Sequence, residues 1–163
     1  MMMLLAFCLT AVAGSACTQA ATVKNVTLKK VGKKYYGFKK GKKIKKKWGI
    51  VKAGKKKYKY YFGKNGAAYT GVHAIGKYWY NTKLYYFNKK GRLQTAKTDT
   101  LQKLSAEGAD LGILQAKIRE LDPKDTCKND EACGQQFCVY KNKFTVYFRE
   151  KDGKNVVDHL EAM

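Results

Sequence analysis

One unit returns at a constant interval of 25 residues. Tyr35-Tyr36-Gly37-Phe38-Lys39-Lys40-Gly41 is followed by Tyr60-Tyr61-Phe62-Gly63-Lys64-Asn65-Gly66 and by Tyr85-Tyr86-Phe87-Asn88-Lys89-Lys90-Gly91. Ile50 and Ile75, Lys52 and Lys77, and Thr70 and Thr95 keep the same interval. A unit this short cannot bury its own aromatic face, so successive units must stack. Lys57-Tyr58-Lys59-Tyr60-Tyr61-Phe62 mixes alternation with aromatics and predicts a strand. Lys64-Asn65-Gly66 supplies the Asn-Gly pair of a tight hairpin turn with positive φ at both central residues. Ala67-Ala68-Tyr69-Thr70 would begin the return strand. Lys77 to Tyr85 suggests an extra hairpin with Asn81-Thr82 at its tip. Gly37, standing where the other units have Phe62 and Phe87, suggests a frayed first unit.

Charge follows the repeats. Residues 22–97 hold 24 Lys and Arg and no acid, whereas residues 98–163 hold 10 Lys and Arg against 12 Asp and Glu. The first stretch carries +24 and the second −2, which divides the chain at residue 97/98. A stretch without acids forms no internal ion pairs; its lysines repel one another and attract polyanions. Fifteen of the 21 aromatic residues lie between Tyr35 and Phe87, within that same stretch. Lys39 to Lys47 alone reads as a solvated charge run.

The units at Tyr60–Gly66 and Tyr85–Gly91, the first followed by Thr70-Gly71, resemble the cell-wall-binding repeats of Gram-positive surface proteins. The choline-binding and glucan-binding repeats belong to that group. The resemblance covers Val31 to Thr95 and implies a β-hairpin solenoid that anchors an exported protein to wall polymer. In the choline-binding branch, rings of successive hairpins cage a quaternary ammonium by cation–π attraction. The Trp that follows the turn in that family falls on Trp48 and then on Val72, and the aromatic pair falls on Tyr60-Tyr61 and Tyr85-Tyr86. Ammonium groups beside such a cage repel its ligand, so teichoic acid or an acidic polysaccharide suits this chain better than choline. Trp48, Tyr60, Tyr61, Tyr78, Trp79, Tyr85 and Tyr86, with Lys64 and Lys89, are the expected polymer-binding residues.

Residues 1–21 read as an export signal. Leu4 to Gly14 is apolar but too short to span a bilayer, and cleavage fits after Ala20 or Ala21. Lipidation of Cys17 is a rival reading. The expected location is secreted or attached to a Gram-positive wall, with no transmembrane segment in the mature chain.

Residues 98–163 predict a small α+β unit. A short helix capped by Asp99 or Thr100 runs through Ser105, and Leu111, Leu114, Ile118 and Leu121 place an amphipathic helix over Ala109–Leu121, ended by Asp122-Pro123. A three-stranded antiparallel meander follows, over Gln136–Lys141, Lys143–Arg149 and Asn155–Leu160, with turns at Lys141-Asn142 and Asp152-Gly153. Asp122, Asp125, Asp130 and Glu131 read as one solvated acidic loop. The order of helix, Pro-containing loop and meander resembles small envelope domains of outer-membrane assembly lipoproteins and a β-lactamase-inhibitor class, which implies a protein partner. A core of this size gains from a staple, and Cys127 with Cys138 or with Cys133 supplies it.

Chemistry is scarce. Ser105 is the one serine outside the leader, and His73 and His159 lie in different halves. Gly71 to Tyr78 imitates a phosphate loop but offers Tyr78 where a Ser or Thr hydroxyl is needed. The expectation is therefore a non-enzyme with no cofactor, no metal and no nucleic-acid partner. The competing class is a secreted nucleic-acid- or heparin-binding protein, since basic charge interleaved with aromatics also suits single strands.

Overall fold

The computed structural model describes residues 22–141 and 143–163; the expected export signal and Asn142 lie outside them. The chain is mainly β, with antiparallel sheets and two α-helices among the described residues. Strands β1 (Thr27–Val31), β2 (Lys34–Lys39) and β3 (Lys42–Lys43) form the first sheet, and β4 (Lys47–Ala53) pairs with β5 (Lys56–Phe62). β6 (Gly71–Ile75) pairs with β7 (Lys83–Phe87). Helices α1 (Thr95–Leu104) and α2 (Leu111–Leu121) follow, then β8 (Cys127–Ala132), β9 (Gln135–Tyr140), β10 (Phe144–Lys151) and β11 (Lys154–Ala162). The last four form one sheet in the order β11-β10-β9-β8.

The repeat is visible in the backbone, but its hairpin closes on the other side of the Tyr pair from the one expected. β1–β2 and β4–β5 turn at Gly32-Lys33 and Gly54-Lys55, so Tyr35-Tyr36 and Tyr60-Tyr61 lie on returning strands. Gly54 was masked as a turn signal by the lysines around it. At Lys64-Asn65-Gly66 only Gly66 has positive φ (80°), and the turn is a different one. The Gly66 N–H donates to the Gly63 carbonyl, the Gly63 N–H to the Ala67 carbonyl, and the Ala67 N–H to Asn65 Oδ1. The third unit repeats it: Gly91 (φ 75°) donates to Asn88, and Asn88 to Arg92. This is a type I turn closed by a left-handed glycine, one of the common hairpin loops. Among the three units, a turn with positive φ at both central residues stands in the first, at Lys40 and Gly41. Beyond Gly66 no return strand develops; Ala68 bridges Phe62 and Ala67 bridges Tyr36.

These post-turn segments tie one unit to the one before. The Ala68 N–H donates to the Tyr35 carbonyl at 2.8 Å, and the Leu93 N–H to the Lys59 carbonyl at 2.9 Å. A small core of Val26, Ile44, Tyr60 and Phe62 lies between the first two hairpins. Full burial of such side chains stabilises by about 1.5–3 kcal/mol each. Gly37 does not fray its unit. It is buried, and a Cβ there would overlap the Phe62 ring, while a Cβ on Gly49 would sit 2.7 Å from Phe62 Cε2. Phe62 fills the space that a phenylalanine at position 37 would need. The lysine run is likewise partly ordered, since it carries β3 and buries Ile44.

The larger core crosses the composition boundary. Val72, Ala74 and Leu84 of β6 and β7 pack with Leu101, Leu111, Leu114, Ile118, Val146 and Leu160. Helix α1 starts at Thr95, earlier than expected, because docking on β7 rather than a cap sets its beginning: Gln94 offers no side-chain cap bond. Thr98 Oγ1 accepts the Tyr86 N–H at 3.1 Å, and Gln102 Nε2 donates to the Leu84 carbonyl at 3.1 Å. Helix α2 is capped by Asp110, whose carboxylate accepts the Ile113 N–H. The meander has a fourth strand: Asp130 and Glu131 belong to β8, not to a loop. β8 is almost wholly exposed, and charged residues suit an edge strand. Nor is there a hairpin over Lys77–Tyr85. Trp79–Asn81 form a single 3-10 turn joining β6 to β7, because Asn81 binds the Lys77 and Tyr78 N–H groups that a ladder would need.

Candidate ligand-binding surfaces

Strand alternation divides the aromatics of β4–β5 between two faces. Tyr58, Tyr60 and Phe62 face the first hairpin's core. Trp48 and its cross-strand partner Tyr61 face the opposite way, toward the third hairpin. There Trp48 meets Tyr61 and Tyr85 edge-on, with centroids 5.2 and 5.0 Å away, and approaches Phe87 at 6.0 Å. Tyr69 extends the cluster, 5.1 Å from Tyr61 and stacked on His73 at 3.9 Å. Burial raises the Tyr61, Tyr69 and Tyr85 phenols above their ordinary value. Tyr69 adds to the effect on Tyr61, while a hydrogen bond from Gln102 opposes it at Tyr85. The hydroxyls therefore stay protonated at neutral pH.

Ring faces in the basic stretch carry the chain's own cations. Lys59 Nζ lies 4.4 Å from the Trp48 ring, Lys43 Nζ 4.7 Å from Tyr36, and the Arg92 guanidinium 3.7 Å from Tyr58. Lys29 covers Phe38, Lys77 covers Tyr78 and Lys97 covers Tyr86. An ammonium held over a ring gains about 0.5–1 kcal/mol at an exposed site and stays available to an anion on its outer side.

The residues singled out from sequence thus separate into groups. Trp48, Tyr61 and Tyr85 come together between hairpins. Tyr60 is 2% exposed, with Arg92 Nε donating to its hydroxyl, and so lies in the core. Tyr86 packs against the larger core. Lys64 and Lys89 are exposed in equivalent turns. Tyr78 and Trp79 are 45% and 59% exposed and lie elsewhere, with Trp79 against His159 of β11 at 5.6 Å. Lys59, Tyr69, His73 and Phe87 join the inter-hairpin cluster without having been singled out. The alternation of Lys59 with Tyr61 on one strand face was the available signal for the first of them. Cys127 and Cys138 are joined by a disulfide, with Cα atoms 5.6 Å apart, and Cys133 is free and exposed at the β8–β9 turn.

The inter-hairpin cluster abuts an ion cluster. Lys143 Nζ donates to Asp122 Oδ2 and Asp125 Oδ2, each at 3.0 Å, and the Asp125 side chain has no exposed surface. Gly71 approaches Asp122 so closely that a Cβ there would overlap its carboxylate. Burial, with Lys143 nearby, lowers the His73 pKa to about 4, against the Thr70 carbonyl and Asp122, which favour the charged ring. Burial, with Asp125 next, pushes the Tyr140 phenol well up.

Comparison of the chain with protein-family models, with curated proteins and with solved structures finds no match.

Proposed function

We propose that this chain is an exported, non-enzymatic surface protein that holds an anionic or sugar polymer of a Gram-positive cell wall. Its Lys- and Tyr-rich hairpins, stacked as a short solenoid, would be the binding module, and the C-terminal unit would engage a protein partner. The observation that carries this reading is the disposition of the acid-free stretch. Trp48, Tyr61, Tyr69, Tyr85 and Phe87 pack between hairpins, while the lysines stay outside, several of them seated over ring faces. Such a surface offers ammonium groups in fixed positions to a polyanion. Choline is disfavoured as ligand because Lys59 already lies over Trp48 at the ring cluster.

The test is retention of the full chain on purified walls across salt, beside soluble teichoic acid and single-stranded DNA. The full chain is needed because Val72, Ala74 and Leu84 pack against the C-terminal helices and sheet. If about six charges engage, affinity should fall about a thousandfold between roughly 50 and 200 mM salt, by analogy with counterion release from other polyanions. Retention that ignores salt would overturn the electrostatic reading. Tighter binding to DNA than to wall polymer would favour the nucleic-acid class instead.

A further inference from the structure

The most exposed rings in the described chain belong to none of the inter-hairpin contacts. Tyr78, Trp79 and Tyr80 are 45%, 59% and 65% exposed, and hydrogen bonds fix the turn that carries them. Asn81 Oδ1 accepts the N–H groups of Lys77 and Tyr78, each at 3.0 Å, and Thr82 Oγ1 donates to the Tyr78 carbonyl at 2.8 Å. Tyr78 stacks on Tyr80 at 5.4 Å, and Trp79 stands edge-on to Tyr80 at 5.7 Å. Trp79 then meets His159, which stacks on Tyr147 at 4.3 Å, and Tyr147 meets Phe137 at 5.5 Å. Phe137, Tyr147 and His159 are direct cross-strand partners, so this aromatic row lies on the sheet face opposite Cys138, Val146 and Leu160.

Carboxylates border the row. Glu161 Oε2 accepts from the Tyr147 hydroxyl at 3.2 Å, and Asp158 Oδ2 pairs with His159 Nδ1 at 2.8 Å. A bulge between Tyr147 and Phe148 leaves Asp158 without a cross-strand partner. Asp158 Oδ1 also accepts from Arg149 Nη1; each carboxylate has about four lone-pair positions and so keeps acceptor capacity beside these partners.

We propose that this patch is a second binding site, one that takes an uncharged sugar ring. The inference rests on the cell-wall reading and gives the sugar half of it a place of its own. Exposed Trp and Tyr offer apolar surface to the C–H face of a pyranose, and the bordering carboxylates accept its hydroxyls. Lys77, over Tyr78, and Arg149, paired with Asp158, offset these two carboxylates, so the patch's own charge calls for no charged ligand. A turn whose backbone is already fixed has little ordering left to do on binding.

The chain's two tryptophans give the test. Trp48 is 9% exposed, so acrylamide quenching reports on Trp79. In about 1 M NaCl, where surface charge is screened, neutral N-acetylated chitooligosaccharides at millimolar concentration should protect Trp79 from the quencher. Tyr80→Ala should weaken that protection at least about tenfold, and Trp79→Ala should abolish the calorimetric signal while leaving the far-ultraviolet circular dichroism intact. No protection at tens of millimolar sugar would overturn the proposal, as would equal binding by Trp79→Ala. Stronger protection by anionic phospholipid vesicles would assign the patch to a lipid surface and overturn it as well. Salt-sensitive wall retention is measured separately. If it persists in Trp79→Ala while sugar protection was never seen, this inference falls and the reading of the hairpins stands.

Discussion

His73 shows how one half-buried side chain couples the repeats to acid. Its ring stacks on Tyr69, its Nε2 lies 3.1 Å from the Thr70 carbonyl, and Lys143 and Asp122 are the charges facing it. The folded pKa of about 4 lies below the ordinary 6.5, so the unfolded chain binds the extra proton in between. Its contribution is whole above pH 6.5 and is lost as pH falls toward 4, on the order of 3 kcal/mol in total. His73→Phe should lose less stability than the parent over that window when both are unfolded in urea at stepped pH; parallel curves would contradict it. Lys143 is the second sensitive position. Lys143→Ala leaves the buried Asp125 carboxylate without a cation and should cost about 3–5 kcal/mol in urea unfolding at neutral pH. A loss near zero would mean that the Lys143–Asp125 contact does not hold the fold together. Neither role was legible in sequence, where His73 resembled any strand histidine and Asp122 and Asp125 any solvated acids. Lys143, just before β10, and Asp122, at the end of α2, meet each other and face His73 across the fold, beyond what spacing reveals.

Elements were legible where pattern and packing agree. Phe144, Val146 and Phe148 alternate because one face of β10 is buried, and Leu111, Leu114, Ile118 and Leu121 keep helical spacing because α2 lies on that core. β8 was hidden because an exposed edge strand carries no alternation: its place is set by pairing with β9 and by the link from Cys127 to Cys138. The start of α1 was hidden because Thr98 and Gln102 answer to β7, not to a local cap. The repeat interval was plain, but its phase was not, since glycines flank the Tyr strand on both sides. Gly37 is the instructive departure. Restoring the repeat with Gly37→Phe should destabilise by about 1–3 kcal/mol, because Phe62 already occupies that volume. A stabilised variant in thermal unfolding would mean that the first hairpin can shift to admit a second ring.

Across the whole molecule, charge and core divide the chain at different places. The acid-free stretch ends near Lys97, yet β6 and β7 within it are buried against α1, α2 and β11. Charge is read residue by residue and shows in sequence at once; a shared core depends on contacts between distant residues and does not. The union of α1 with β7 has one more consequence. Because Thr98 and Gln102 occupy the backbone groups of Tyr86 and Leu84, that rim is sealed against another strand, whether from an added copy of the motif or from a neighbouring molecule. Lengthening the array by gene duplication would have to proceed by insertion upstream of the last hairpin, so the terminal member is the one that evolution is least free to exchange.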